Sequence, residues 1–181
     1  MNLAVTAIGR DRPGIVAGVT GALLEAGGNV DDSQMSILHG HFAVMLIVSV
    51  PAIEGPEDPA LGELRERMEA VGRELDLGGV TVSPVSELDR GAGPTHVLTV
   101  YGADRPGIVH DTASALAARG INITDLRTRR TGDPGSPLYT LMVEIAAPDA
   151  EAIAGLESDL VELGREDRVE TRLSELESEL F

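Results

Sequence analysis

Cysteine is missing from this chain of 181 residues, and aromatic residues are almost missing. Without cysteine, disulfide bonds, thiolate metal sites and cysteine nucleophiles are excluded. With two Tyr, two Phe and no Trp, the core must be built from aliphatic side chains. Any bound ligand is expected to be small, because there is little aromatic surface on which a ring could stack.

Positive charge is also scarce. The chain has 14 Lys and Arg against 30 Asp and Glu, a formal net charge of −16. Binding to a nucleic acid duplex requires clustered cations that displace counterions from phosphates. Direct nucleic acid binding is therefore not expected. Such an acidic surface usually serves solubility, and the alternative is a surface that meets a basic protein partner.

Long apolar stretches are absent as well. The longest nearly continuous one, residues 42–50, has the length of a strand and is too short to cross a bilayer. The first residues do not show a basic leader followed by an apolar segment, so no signal peptide is predicted. These features predict a cytoplasmic protein that does not insert into a membrane.

What the sequence does contain is a repeated hexapeptide, Asp-Arg-Pro-Gly-Ile-Val, at residues 11–16 and again 93 positions later at residues 104–109. Each copy follows a short apolar run and precedes apolar residues with helical spacing. The proline suits a first helical position, and the glycine leaves the backbone bare for another group to approach. The first N–H groups of a helix lack internal partners and carry partial positive charge. The motif therefore predicts a seat for a carboxylate or phosphate, unless it is only a tight turn that starts a helix.

The repeat extends well beyond this motif. At the same offset, Thr6 aligns with Thr99, Leu23 with Leu116 and Asp32 with Asp125. Each half shows the order strand, helix, strand, strand, helix, strand, so the chain is predicted to be a duplicated domain. That order predicts an α+β fold of two ferredoxin-like βαββαβ units, with antiparallel sheets and both helices on one face. The predicted domains are residues 1–88 and 95–181, joined by a linker at 89–94.

Local signals predict several element boundaries. Asp58 and Asp149 are expected to cap the second helix of each half, and Pro84 is expected either in an edge strand or at a bulge. The pair Gly78 and Gly79 is predicted to end the second helix. Residues 132–135, Gly-Asp-Pro-Gly, are predicted to form a turn.

The hexapeptide, the strand order and a Gly-x-Asn sequence after the first helix, at residues 27–29 and 120–122, resemble the ACT domain. The resemblance covers nearly the whole chain, once per half. A chain made of two such domains is similar to the glycine cleavage system transcriptional repressor family. ACT domains bind a small molecule, commonly an amino acid, and transmit that event to an attached or associated protein.

The resemblance also implies where the ligand lies. In ACT domains it is usually held between two domains by the first turn, the start of the first helix and the strand after that helix. The corresponding ligand-binding residues here are, in the first half, Asp11, Arg12, Pro13, Gly14, Ile15, Val16 and Asn29, and in the second half Asp104, Arg105, Pro106, Gly107, Ile108, Val109 and Asn122.

The residue chemistry agrees, although each side chain has a structural alternative. The glycine, isoleucine and valine amides can bind a carboxylate, and the asparagine amide can accept from an ammonium and donate to a carboxylate. The asparagines could instead be turn residues. The aspartates could hold an ammonium or cap the helix, and the arginines could be solvated loop charges.

The implied function is a non-catalytic regulatory protein that senses a small amino acid of the glycine or serine type. It would act through a protein partner, such as a transcription regulator, and form a homodimer. The alternative is a regulatory subunit of an amino-acid biosynthetic enzyme. An enzyme is a third reading, yet no nucleophile–base pair, phosphate-binding loop or metal set is visible, and no cofactor is expected.

Four weaker features remain open. The pair His39 and His41 lacks an evident third ligand, so no metal site is predicted. The side chain of His110 either faces the predicted site or lies on the helix exterior. The cluster of Arg127, Arg129 and Arg130 forms ion pairs, is solvated, or is a docking edge. The segment with Leu173, Leu176 and Leu180 is a strand, a helix or a tail.

Overall fold

The computed structural model describes residues 1–86, 88, 91–133, 135–167 and 169–176. The chain divides into two compact units, residues 1–89 and 90–181. The predicted linker at 89–94 lies partly outside the described residues. Each unit has the predicted βαββαβ order, so the α+β fold is confirmed.

Unit 1 is a four-stranded antiparallel sheet with two helices. Its elements are β1 (Asn2–Arg10), α1 (Ile15–Glu25), β2 (Asn29–Leu38), β3 (His41–Ser49), α2 (Pro59–Glu74) and β4 (Leu77–Val85). The strand order is β2-β3-β1-β4. Pro84 therefore lies in an edge strand, as predicted.

Unit 2 repeats this arrangement. Its elements are β5 (His96–Ala103), α3 (Ile108–Ala118), β6 (Asn122–Asp133), β7 (Ser136–Ala146), α4 (Ala150–Asp167) and β8 (Val169–Glu175). The strand order is β6-β7-β5-β8, again antiparallel throughout.

Alternation along the central strands places one face of each sheet in the core. In β1 the buried residues are Leu3, Val5 and Ala7, and in β3 the even-numbered residues from Phe42 to Val48 are buried. The helices cover that face with aliphatic side chains. The helical core residues of unit 1 are Ile15, Val19, Ala22, Leu23, Leu61, Leu64 and Met68. Both cores are nearly free of aromatic rings, as the composition requires.

The two β-hairpins differ in length. In unit 1 the pairing of β2 with β3 ends at Leu38 and His41. In unit 2 the pairing of β6 with β7 continues for two more residue pairs, to Asp133 and Ser136. The predicted turn at residues 132–135 is therefore wrong at its start, because Gly132 and Asp133 belong to strand β6. As a result, β7 is offset from β3 by 97 positions rather than 93, so Tyr139 takes the place of Phe42.

Two helix boundaries also differ from the prediction. Neither Pro13 nor Pro106 is the first helical residue, because each helix begins two residues later with the glycine at its N-cap. Gly78 and Gly79 do not end α2, since both lie in β4 and the helix ends at Glu74.

Both predicted aspartate caps are confirmed. The Ala60 N–H donates to Asp58 Oδ1 over 3.0 Å, and the Ala152 N–H donates to Asp149 Oδ1 over 2.8 Å. Backbone hydrogen bonds from Glu54 and Ala60 hold the pKa of Asp58 below its ordinary value.

Candidate ligand site at the repeated loop

The repeated loop connects β1 to α1 and β5 to α3, and its glycine has a conformation that other residues avoid. Gly14 has φ +97° and Gly107 has φ +101°, both in the left-handed region. This turn requirement accounts for the glycine at Gly14, since no atom lies within 4 Å of where its Cβ would be.

Each loop is fastened to the neighbouring hairpin by one backbone hydrogen bond. The Asp11 N–H donates to the Gly40 carbonyl over 2.9 Å, and the Asp104 N–H donates to the Pro137 carbonyl over 3.0 Å. These bonds hold the start of each helix against the end of its sheet.

The helix starts leave amide donors without partners. The first intrahelical bonds are from Gly18 N–H to the Gly14 carbonyl and from Asp111 N–H to the Gly107 carbonyl, both 2.9 Å. No side chain among the described residues caps either helix. The preceding three amides of each helix thus have no intrahelical acceptor and can bind an anion.

A cavity of about 330 Å³ lies at the second loop. Five of its lining residues belong to the predicted site and two do not; the full lining is Asp104, Arg105, Gly107, Ile108, Val109, His110 and Tyr139. His110 is among the lining residues, in agreement with the first of its two predicted placements, and it is also exposed on α3. The volume is at the small end of the range for ligand pockets.

Ion pairs fix both charged side chains of the second loop. Asp104 Oδ2 lies 2.9 Å from Arg130 Nε, and Arg105 Nη2 lies 2.9 Å from Asp111 Oδ2. Arg105 Nη1 also donates to the Pro106 carbonyl over 2.9 Å. The loop charges are thus held in place by β6 on one side and α3 on the other.

The first loop lacks these partners. At the offset of 93, Ile37 stands in place of Arg130 and Gly18 in place of Asp111. Asp11 and Arg12 are exposed, whereas Asp104 and Arg105 are half-buried. A side chain at position 18 would require Leu75 to move, because its Cβ would lie 2.7 Å from Leu75 Cδ1. The two copies of the hexapeptide therefore have different surroundings despite identical sequence.

The two predicted asparagines do not lie near the loops of their own units. Asn29 pairs with Ser49, which pairs with Asn2 at the start of β1, whereas the loop follows the end of β1. Nine residues of extended strand separate the two ends by roughly 30 Å. Asn122, paired with Ala146, is placed in the same way in unit 2. A single unit therefore does not bring its asparagine and its loop to one ligand.

Two family models, each describing an ACT domain, match residues 2–82 and residues 96–181. The chain belongs to the ACT domain family. The glycine cleavage system transcriptional repressor of Escherichia coli strain K12 is 27% identical to it over 146 residues, which cover 80% of this chain and 73% of that protein. A UPF0237 protein of Methanopyrus kandleri is 39% identical over 73 residues, 40% of this chain and 77% of that protein.

The tandem ACT arrangement also has a match among solved structures. The crystal structure of an unknown protein from Galdieria sulphuraria has a TM-score of 0.79 and 27% identity, covering 97% of this chain and 98% of that chain. Units 1 and 2 are therefore called the first and second ACT units below.

The remaining candidates lie outside the cavity of the second ACT unit. His39 and His41 are exposed around the turn between β2 and β3. Within the described ranges, no three His, Cys, Asp or Glu side chains are grouped so that they could hold a metal ion. None of the described helices combines the length and apolar character needed to span a bilayer.

The basic cluster on β6 is largely engaged in ion pairs. Arg130 binds Asp104, and Arg127 Nε lies 2.9 Å from Asp125 Oδ2. Of the C-terminal leucines, Leu173 lies in strand β8 and packs against the core of the second ACT unit. Leu180 lies outside the described residues.

Proposed function

We propose that this tandem ACT protein is a non-catalytic regulator that binds a small amino acid at the second loop and changes its contact with a protein partner. The observation that carries the proposal is the cavity of about 330 Å³ at the second loop, next to helix-start amides without a side-chain cap. Membership of the ACT family and similarity to a transcriptional repressor support a regulatory role.

The ligand is held, in this proposal, by backbone donors and one carboxylate. The ligand's carboxylate accepts hydrogen bonds from the Ile108 and Val109 amides, where the helix dipole favours negative charge. Its ammonium faces Asp104, which already carries the ion pair to Arg130 at 2.9 Å. Ammonium binding therefore competes with, or shares, an existing contact, and a small side chain such as that of glycine or serine fits the limited volume.

Asn29 and Asn122 contribute only if the other ACT unit or a second copy of the chain supplies them. Each asparagine lies roughly 30 Å along the sheet from the loop of its own unit. A homodimer that places the asparagine of one copy against the loop of the other completes the predicted ligand set. In such a dimer, ligand binding is coupled to assembly, because a ligand that binds the assembled state more tightly shifts the equilibrium towards it.

Isothermal titration calorimetry with glycine, L-serine and the other standard amino acids tests the proposal. Saturable heat from at least one of them is expected. In the proposal the hydroxyl of Tyr139, a residue that lines the cavity, also hydrogen-bonds to the ligand. Tyr139→Phe is therefore expected to weaken binding by about threefold or more, in line with the loss of a neutral hydrogen bond. Tyr101→Phe is the matched control, because Tyr101 is 41% exposed and does not line the cavity.

Two results would contradict the proposal. If a folded protein gives no heat with any amino acid, the sensing role is wrong. If Tyr139→Phe, Tyr101→Phe and His110→Ala all bind the amino acid with the affinity of the wild type, the ligand does not occupy this cavity. Sedimentation velocity with and without the ligand then measures whether binding changes the oligomeric state.

A further inference from the structure

Each ACT unit has an ion pair that joins its two helices, here called a helix clamp. In the first unit, Arg67 Nη1 on α2 lies 2.9 Å from Glu25 Oε2 at the end of α1. In the second unit, Arg119 at the end of α3 donates twice to Asp159 on α4, from Nε over 2.6 Å and from Nη2 over 2.8 Å. Both clamps therefore connect the C-terminal end of the first helix to the middle of the second helix.

The charges of the two clamps are reversed. Arg67 and Asp159 occupy equivalent positions, since each stands three residues after a buried leucine, Leu64 in α2 and Leu156 in α4. In the first unit the first helix supplies the acid and the second helix the base. In the second unit the first helix supplies the base and the second helix the acid.

In the second clamp the guanidinium of Arg119 lies over a glycine of α4. A Cβ at Gly155 would contact Arg119 Nη1, so a larger residue at that position would require the guanidinium to move. The equivalent position in α2 is Glu63, one residue before its buried leucine. Hydrogen bonding between the partners raises the pKa of Arg119 and lowers that of Asp159, so both stay charged around neutral pH.

We propose that the reversed clamps select the correct helix pairs when this duplicated chain folds, keeping α2 with α1 and α4 with α3. Both second helices present a similar buried ridge, Leu64 and Met68 in α2 and Leu156 and Leu160 in α4. Hydrophobic burial alone therefore discriminates weakly between correct and exchanged docking. Misassembly between similar units is a characteristic failure of repeat and multidomain proteins.

Exchanged docking turns both attractions into repulsions. If α2 docked on α3, Arg67 would face Arg119, and if α4 docked on α1, Asp159 would face Glu25. A single exposed ion pair contributes little to stability, but two lost attractions and two gained repulsions add up in the comparison between the two dockings. The clamps therefore act on pairing specificity more than on native stability.

Reversing one clamp while keeping it intact tests this inference. Arg119→Asp with Asp159→Arg gives both units the same polarity, so exchanged docking is no longer repulsive. Glu25→Arg with Arg67→Glu has the same consequence through the other unit. The variant with all four substitutions again gives the two units clamps of opposite polarity. It is the control, because it contains every substitution of the two variants whose clamps have the same polarity.

The full-length chains are refolded by dilution from guanidinium, and native material is measured as the fraction at the native elution volume in size exclusion. Each two-substitution variant is expected to give about threefold less native protein than the wild type, as a difference of order one exposed ion pair allows. The four-substitution variant is expected to recover the wild-type yield. Native yields of the two-substitution variants equal to that of the wild type would overturn the inference. The inference would also be overturned if the yield of the four-substitution variant were lowered by the combined losses of the two two-substitution variants. That result is expected if the clamps only stabilise the native state.

Discussion

Thr112 offers a sharp test of the packing of the second ACT unit. It is 1% exposed in α3, on the helix face that also buries Ile108 and Leu116, and its Oγ1 has no hydrogen-bond partner among the described residues. By contrast, Thr20 Oγ1 in α1 donates to the Val16 carbonyl over 2.7 Å. The equivalent of Thr112 in the first unit is Val19, fully buried.

Thr112→Val replaces the unpartnered hydroxyl with a methyl group of similar size. Leaving a buried polar group without a partner costs about 1–3 kcal/mol, so the substitution is expected to stabilise the second unit by about that amount. A gain of about 1 kcal/mol would raise the Tm of a domain of this size by roughly 4–8 °C. Val19→Thr, the reciprocal change in the first unit, is expected to destabilise by a similar amount.

Since two units need not unfold together, the assay should report on the second unit alone. Amide hydrogen exchange of β5 measures its opening free energy, and thermal unfolding followed by circular dichroism measures Tm. A neutral or destabilising Thr112→Val, alongside a destabilising Val19→Thr, would refute the reasoning, because it would mean that the Thr112 hydroxyl has a partner that the substitution removes.

Three other changes have defined expected outcomes. Gly14→Ala and Gly107→Ala should each lower stability by about 1–2 kcal/mol in denaturant unfolding, because alanine is strained at positive φ; no loss at Gly14, whose Cβ would meet nothing, would contradict this. The pKa of Asp58 is lowered in the folded state. Its cap therefore contributes its full stabilisation above the ordinary pKa of 3.8, and this stabilisation is lost as the pH falls through the folded pKa. The Tm difference between wild type and Asp58→Ala should shrink over that fall in pH. Arg130→Met should change amino-acid affinity in calorimetry by about threefold or more through Asp104, whereas Arg129→Met should leave it unchanged.

The fold could be predicted because the relevant signals are local or repeated. Local structure is specified by helix caps such as Asp58, by the apolar spacing of α2 and by the identical hexapeptides. Because the chain is duplicated, a prediction made for one half can be compared with the prediction for the other. The position of Asn29 could not be judged in this way. Its place in the sequence, soon after α1, does not show that β2 begins at the far end of the sheet from the loop.

The different surroundings of the two loops also cannot be seen when the two halves of the sequence are aligned at a constant offset. The longer second hairpin shifts β7 by four positions, so an offset of 93 places Tyr139 opposite Leu46 rather than its structural equivalent, Phe42. Ion pairing of Arg130 is one of the three alternatives that the sequence leaves open, but only the strand register identifies its partner as Asp104. A search for a four-residue insertion between the halves would have pointed to Tyr139.

The extended hairpin of the second unit has a practical consequence. Asp104 is fastened to Pro137, which lies within the paired flank of β7, whereas Asp11 is fastened to Gly40 in the turn itself. Because the anchoring carbonyl of the second unit lies in the ladder, Gly135 at the hairpin tip, where a Cβ would meet no atom within 4 Å, can be substituted without unfastening the loop. A fluorophore grafted at that tip would sit on the same hairpin as Tyr139 and Arg130, and so would give an optical reporter of occupancy for screening ligands.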